Sequence, residues 1–188
     1  MIEHTYQVVS VSFLDRQRLV SFYKSNREKI KIHKSDLCYV LEGKGLEETG
    51  LDDTVFENTE RHQIRAAVKF TKLPDGSWLL RNMLVAQAHR QQGLGHRLLT
   101  GLAEQMSVLA KQDGITESRL YCFPWSNLTD FYCQHGFCEH RIDDSTSTAA
   151  NLTSTLSAEL SLSSEVIARF KAYRKRGLDI RFCYWGRS

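Results

Sequence analysis

Proline is scarce in this chain: Pro74 and Pro124 are the two prolines among 188 residues, which excludes proline-rich linkers and collagen-like repeats. Long apolar runs are missing as well. The strongest stretch, Trp78 to Ala88, is broken by Arg81 and falls well short of the ~20 apolar residues that span a bilayer. The five cysteines, Cys38, Cys122, Cys133, Cys138 and Cys183, form no C-x-x-C pair, and their odd number leaves one unpaired in any internal disulfide scheme. They read as reduced, buried thiols. None of the seven histidines pairs with another His or Cys at the spacing of a zinc motif, so no metal is expected. A strong charge imbalance is also lacking, with 25 Lys+Arg against 22 Asp+Glu and a net charge of +3, and such a balance names no partner. Met1, Ile2, Glu3 and His4 begin neither a basic nor an apolar leader, so the expected compartment is the cytoplasm.

What is present is the composition of an ordinary globular domain, 41% hydrophobic and 25% charged. One domain over residues 1–188 is expected, burying about 70% of the surface that the unfolded chain exposes. Tyr6, Val8, Val9 and Val11 suggest a first strand, followed by a helix over Asp15 to Asn26 with Leu19, Phe22 and Tyr23 at helical spacing. Leu37 to Leu41 reads as a short buried strand, and an acidic stretch from Glu42 to Glu60 follows it. Ile64, Ala66, Val68 and Phe70 alternate along Gln63 to Lys72, and Pro74-Asp75-Gly76 supplies a turn before a strand from Trp78 to Val85. The clearest helix is Gly93 to Gln112, with Leu94, Leu98, Leu102, Met106 and Leu109 on one stripe and Gly114 as its stop. Arg119 to Phe123 reads as a strand, Asn127 to His135 as a short helix and Phe137 to Ile142 as a strand. The Ser/Thr-rich run over about 145–164 is too polar for core and is expected to be a surface excursion. Ser164 is expected to cap a helix that Gly177 ends, and Leu178, Ile180, Phe182 and Tyr184 form one face of a last strand. Strands separated by helices define a mixed α/β (α+β) domain.

The chemistry concentrates between Val85 and Arg97, where a buried strand passes into the long helix through a loop with two glycines. The first turn of a helix has N–H groups without intrahelical acceptors, and its dipole adds partial positive charge, so an anion binds there readily. Gly93 and Gly95 let a pyrophosphate approach the backbone, and Arg90 can add a cation. The bland alternative is a strand-to-helix turn whose glycines serve packing. Position 98 is Leu, so G-x-G-x-x-G is incomplete, and no Gly-Lys-Ser/Thr follows, which disfavours dinucleotide and triphosphate sites.

Val85, the run Arg90-Gln91-Gln92-Gly93-Leu94-Gly95 and, further on, Tyr132-Cys133-Gln134-His135-Gly136-Phe137 stand in one order on the expected elements. In this order they resemble the signature of the GNAT superfamily of acyl-CoA-dependent N-acyltransferases, over about residues 64–137. The resemblance implies a mostly antiparallel central sheet with helices on both faces, splayed between the fourth and fifth strands, here between Met83–Val85 and Leu120–Phe123. It implies acetyl-CoA as co-substrate and no metal. The backbone of Arg90, Gln91, Gln92, Gly93, Leu94, Gly95 and His96 would hold the pyrophosphate, and Leu84 and Val85 would align the pantetheine arm. The Val85 N–H would be the oxyanion donor, a role typically worth roughly 2.7 to 4 kcal/mol, and Tyr132 the general acid for the departing thiolate.

The chain departs from the family on the fourth strand, where many members carry a carboxylate and this one carries Arg81 and Asn82, so no general base is named. Glu60 and His62 are candidates by position, against a solvated surface as the plainer reading. Asn127 lies closer to Tyr132 than the usual asparagine does and serves equally as a helix cap. Arg169, Lys171, Arg174, Lys175 and Arg176 make the late helix basic, which reads as a solvated face rather than a nucleic-acid surface. The resulting expectation is an N-acetyltransferase with an amine acceptor of undefined class, with neither membrane nor nucleic acid as partner and a homodimer left open. The alternative is a non-catalytic module of the same fold that binds CoA or a partner.

Overall fold

The computed structural model describes residues 6–12, 15–44, 62–112, 120–142 and 162–185. The acidic residues Glu47 to Glu60, Gly114, Arg119 and most of the Ser/Thr-rich run lie outside them, as do the side chains of His62, Met106 and Leu109. The elements in chain order are β1 (Tyr6–Ser10), α1 (Arg16–Ser25), β2 (Leu37–Lys44), β3 (His62–Lys72), β4 (Trp78–Val85), α2 (Leu94–Gln112), β5 (Leu120–Cys122), α3 (Thr129–Cys133), β6 (Phe137–His140), α4 (Ser164–Lys175) and β7 (Phe182–Trp185). Short 3-10 turns at Gln87–His89 and Ser126–Leu128 precede α2 and α3. The strands form one open seven-stranded sheet in the order β1-β2-β3-β4-β5-β7-β6. Pairing is antiparallel for β1 with β2, β5 with β7 and β6 with β7, and parallel for β4 with β5. The parallel ladder joins Trp78–Leu80 to Leu120–Cys122 and stops there, while β4 runs on to Val85. That is the splay expected from the sequence.

By compactness the chain divides into two units that interleave along the sequence: Met1–Lys69 with Asn82–Gln105, and Phe70–Arg81 with Met106–Ser188. In the first, α1 buries Leu19, Phe22 and Tyr23 against Cys38, Val40 and Ala67, with Val9, Leu84 and Ala86 packed around them. Each such side chain contributes about 1.5–3 kcal/mol when fully buried. Gly101 lets α2 approach β1, because a Cβ there would stand 2.6 Å from Val8 Cγ2. Along β3 the alternation fails as a guide to exposure. Ala67 is fully buried and Lys69 is 5% exposed, so both faces of the strand are covered. The Lys69 ammonium is retained there by a salt bridge to Asp36 Oδ2 at 3.2 Å and by the Lys31 carbonyl at 2.8 Å. Asp36 also accepts the His33 N–H at 2.7 Å.

The second unit is built on Leu73, Leu79, Tyr121, Val166, Phe170, Ile180 and Phe182. Phe123 packs edge-on to Phe170 with ring centroids 5.3 Å apart, and Phe170 to Phe182 at 5.5 Å. Three expectations are corrected here. The cap of α4 is Ser163 rather than Ser164: its hydroxyl accepts the Val166 N–H at 3.2 Å, because Ser163 is the residue still in extended conformation. The last strand starts at Phe182, with Ile180 making an isolated bridge to Trp125. Asn127 caps nothing; it sits inside the 3-10 turn, and α3 starts after Leu128. Among the described residues no helix is long and apolar enough to cross a membrane.

Candidate active site

The candidate residues Leu84 to His96 fall in the first unit and Tyr132 in the second. Leu84 packs on the core below α1, and Val85 closes β4. The Ala86 N–H donates to the Arg65 carbonyl on β3 at 2.9 Å. Successive N–H groups of a strand point to opposite edges, so the Val85 N–H faces away from β3, along the part of β4 that the β5 ladder does not reach.

Beyond Val85 the chain turns through Gln87–His89 and into α2 with left-handed backbone at Gln91 (φ 60°) and Gly93 (φ 72°). Gly adopts this region freely, whereas Gln91 is there at a cost of roughly 1–2 kcal/mol, strain of the kind that collects at ligand-binding loops. The N–H groups of residues 91 to 95 have no acceptor among the described residues. They are the concentrated donor set that an anion requires at a helix start. Leu94, 2% exposed, anchors the first turn through its side chain, leaving its N–H as the part available to a ligand. Arg90 is exposed and folds back so that Nε donates to the Val85 carbonyl at 3.3 Å. Gln92 Nε2 donates to the Ala88 carbonyl at 3.3 Å, and His96 is exposed on α2.

Residues that the motif reading missed hold this loop. Arg65 not only accepts the Ala86 N–H but also places its guanidinium against His89 Nε2. Asn82 lies within β4 at φ 53°. Its carbonyl accepts the hydroxyl of Tyr23 from α1. Asn26, at the end of α1, accepts the Gln87 N–H on its Oδ1 at 3.1 Å. A sequence signal existed only for Tyr23, whose helical spacing marked it as core without showing where its hydroxyl goes.

Tyr132 on α3 is 8% exposed, with ring centroids 5.4 Å from Phe131 and 5.7 Å from Phe137. Burial pushes its phenol above the ordinary tyrosine range, and the nearby Cys122 and Cys183 add to the effect. Those two cysteines face each other directly across β5 and β7, and burial raises the Cys122 thiol too. A phenol of this kind stays protonated at every working pH, as a proton donor must. Arg81, in place of the familiar carboxylate, stacks its guanidinium over Tyr173 at 5.7 Å. Among the described residues no group of three or more His, Cys, Asp or Glu could hold a metal ion.

Residues 52–139 match the family model of the acetyltransferase (GNAT) domain. The chain carries a GNAT domain. Among solved structures, the GNAT domain is similar to N-acetylglutamate synthase from Neisseria gonorrhoeae complexed with coenzyme A and L-arginine, with a TM-score of 0.51 and 15% identity. That match covers 98% of this chain but 34% of the other, so the chain spans about a third of that protein. A GNAT family acetyltransferase from Staphylococcus aureus Mu50 matches at 14% identity and TM-score 0.49, covering 96% of this chain and 98% of that one. The ribosomal-protein-S18-alanine N-acetyltransferase from Escherichia coli matches at 16% identity and TM-score 0.48, covering 73% and 80%. No curated protein sequence matches the chain. At these identities the likeness is one of fold.

Proposed function

We propose that the protein transfers an acetyl group from acetyl-CoA to a primary amine by direct attack of the amine on the thioester. The observation that carries the proposal is the loop from Gln91 to Gly95, whose N–H groups have no acceptor among the described residues and whose strained backbone opens α2. In this reading the pyrophosphate of CoA takes those N–H groups, with Arg90 as the added cation and the backbone of Gln91, Gln92, Gly93, Leu94, Gly95 and His96 as the cradle. Leu84 and Val85 align the pantetheine arm through their backbone. The Val85 N–H donates to the thioester oxygen as negative charge builds on it, Tyr132 supplies the proton that the leaving thiolate takes up as the C–S bond breaks, and the proton shed by the attacking nitrogen as the C–N bond forms passes through solvent and restores the phenol. No metal enters the reaction.

Titration calorimetry with acetyl-CoA and with CoA tests the cradle: saturable binding of both supports it, and no binding at millimolar ligand overturns it. A second reading, a CoA-binding module without turnover, is favoured by one observation. Arg81 occupies the strand position where many family members carry a carboxylate, and its guanidinium is spent on Tyr173. Thiol release from acetyl-CoA in the presence of amines separates the two readings.

A further inference from the structure

We propose that Tyr23 is a positioning residue for the reaction, holding the backbone bulge at Asn82 so that the N–H of Val85, rather than that of its neighbour, points along the open edge of β4. This rests on the proposed transfer from acetyl-CoA. Asn82 is a non-glycine residue at φ 53°, and its side chain is exposed, so its own packing does not keep it there. Its carbonyl is held from α1 by the Tyr23 hydroxyl, on a ring that is 1% exposed. The chain is gripped again five residues past Asn82: Asn26 takes the Gln87 N–H at 3.1 Å while its amide donates to the Phe22 carbonyl at 2.8 Å. α1 thus clamps both ends of Asn82–Gln87, and Leu84 and Ala86 pack on the core that α1 forms with β2 and β3.

Register gives the clamp its consequence. A bulge adds one residue to a strand, and a shift of one residue exchanges the groups that face the two edges. The Leu73 N–H meets the Ser77 carbonyl at the turn and the Ala86 N–H meets the Arg65 carbonyl at the far end, so nine steps along β4 match eight along β3; the extra residue is the bulge, and with it in place the Val85 N–H faces the opposite edge. Releasing Asn82 from its left-handed conformation would let the segment slip and turn the Val85 N–H away from a bound thioester. Tyr23 touches neither the co-substrate nor the reacting atoms; it acts through the β4 backbone.

The test uses the full chain and acetyl-CoA labelled isotopically at its carbonyl carbon, read by NMR, so that no acceptor amine is required. A hydrogen bond from Val85 moves the carbonyl resonance on binding in the wild type. Tyr23→Phe is expected to lose at least half of that shift while the affinity for CoA itself stays within about threefold. Asn82→Gly in the Tyr23→Phe background is expected to restore the shift, because glycine takes φ 53° without a tether. Full retention of the shift in Tyr23→Phe overturns the proposal. So does a loss that Asn82→Gly fails to restore, since that is general loosening rather than a released bulge. Absence of acetyl-CoA binding by the wild type overturns the transfer reading and this proposal with it. Wild-type binding without a carbonyl shift removes the Val85 donor, and the role of Tyr23 with it, but leaves the cofactor loop standing.

Discussion

Replacing Gly93 with Asn and with Asp separates backbone strain from charge at the turn into α2. Gly93 has φ 72°, and a Cβ built on it meets nothing within 4 Å, so either side chain fits and the shared cost is one of conformation. That cost is about 1 kcal/mol, and Asn tolerates the left-handed region better than most residues. The two variants then differ by one negative charge beside the N–H groups of residues 91 to 95. At roughly 5 Å and an effective dielectric between ~20 and ~80, each unit of phosphate charge repels the Asp carboxylate by about 0.8 to 3.3 kcal/mol. A pyrophosphate presents two such charges, so Gly93→Asp should bind CoA at least ~15-fold more weakly than Gly93→Asn. The gap should narrow near 1 M salt, where the screening length is ~3 Å. Titration calorimetry of both variants with CoA measures it directly. Equal affinities within about threefold would refute the placement of the pyrophosphate on this loop, whatever the variants do to stability.

Tyr132→Phe, which keeps the buried ring and removes the hydroxyl, should lower kcat about 10²-fold with Tm and CoA affinity nearly unchanged, whereas Tyr132→Ala should cost roughly 3 kcal/mol or more of stability; steady-state kinetics with thermal melts distinguish an acid from a packing residue. Because burial raises the Tyr132 phenol, its ionisation should produce no alkaline loss of rate below its ordinary value near 10. Lys69→Met leaves Asp36 charged and buried without its partner and should destabilise by about 3–5 kcal/mol, while the double variant with Asp36→Leu should recover much of that in denaturant titrations. Burial alone would raise the Asp75 carboxyl, but hydrogen bonds from Ser163 and Ser77 outweigh it and hold the group below its ordinary value of 3.8. Its contribution is therefore present above that value and lost as pH falls through the lower folded-state value, so Asp75→Asn should flatten the acid limb of a Tm-versus-pH curve.

Local pattern made much of the fold legible. The stripe of Leu94, Leu98 and Leu102 marked α2, the spacing of Leu19, Phe22 and Tyr23 marked the buried side of α1, and the Pro74-Asp75-Gly76 turn set the hairpin between β3 and β4. The turn from β4 into α2, proposed above as the cradle, was legible too as a turn, because two glycines between a strand and a helix form a local signal. What a window of sequence does not carry is partnership at long range. Lys69 is buried because Asp36 reaches it from 33 residues away, and no alternation pattern contains that. The bulge at Asn82 depends on a tyrosine 59 residues earlier, and the loop after β4 on Asn26 and Arg65. Cap positions erred by one residue at α4 because Ser163 and Ser164 are chemically identical, and only backbone conformation decides which of them caps.

The most direct measurement of the central claim is release of free CoA thiol from acetyl-CoA by the full chain across a panel of metabolite amines, peptide N-termini and amines on modified nucleotides, with the product identified by mass. At least one amine class is expected to accelerate thiol release well above the rate with water alone and to gain a single acetyl group in equal amount. Saturable binding of acetyl-CoA with no amine raising thiol release above that background would contradict it, and would leave a GNAT domain that binds its co-substrate without transferring the acetyl group.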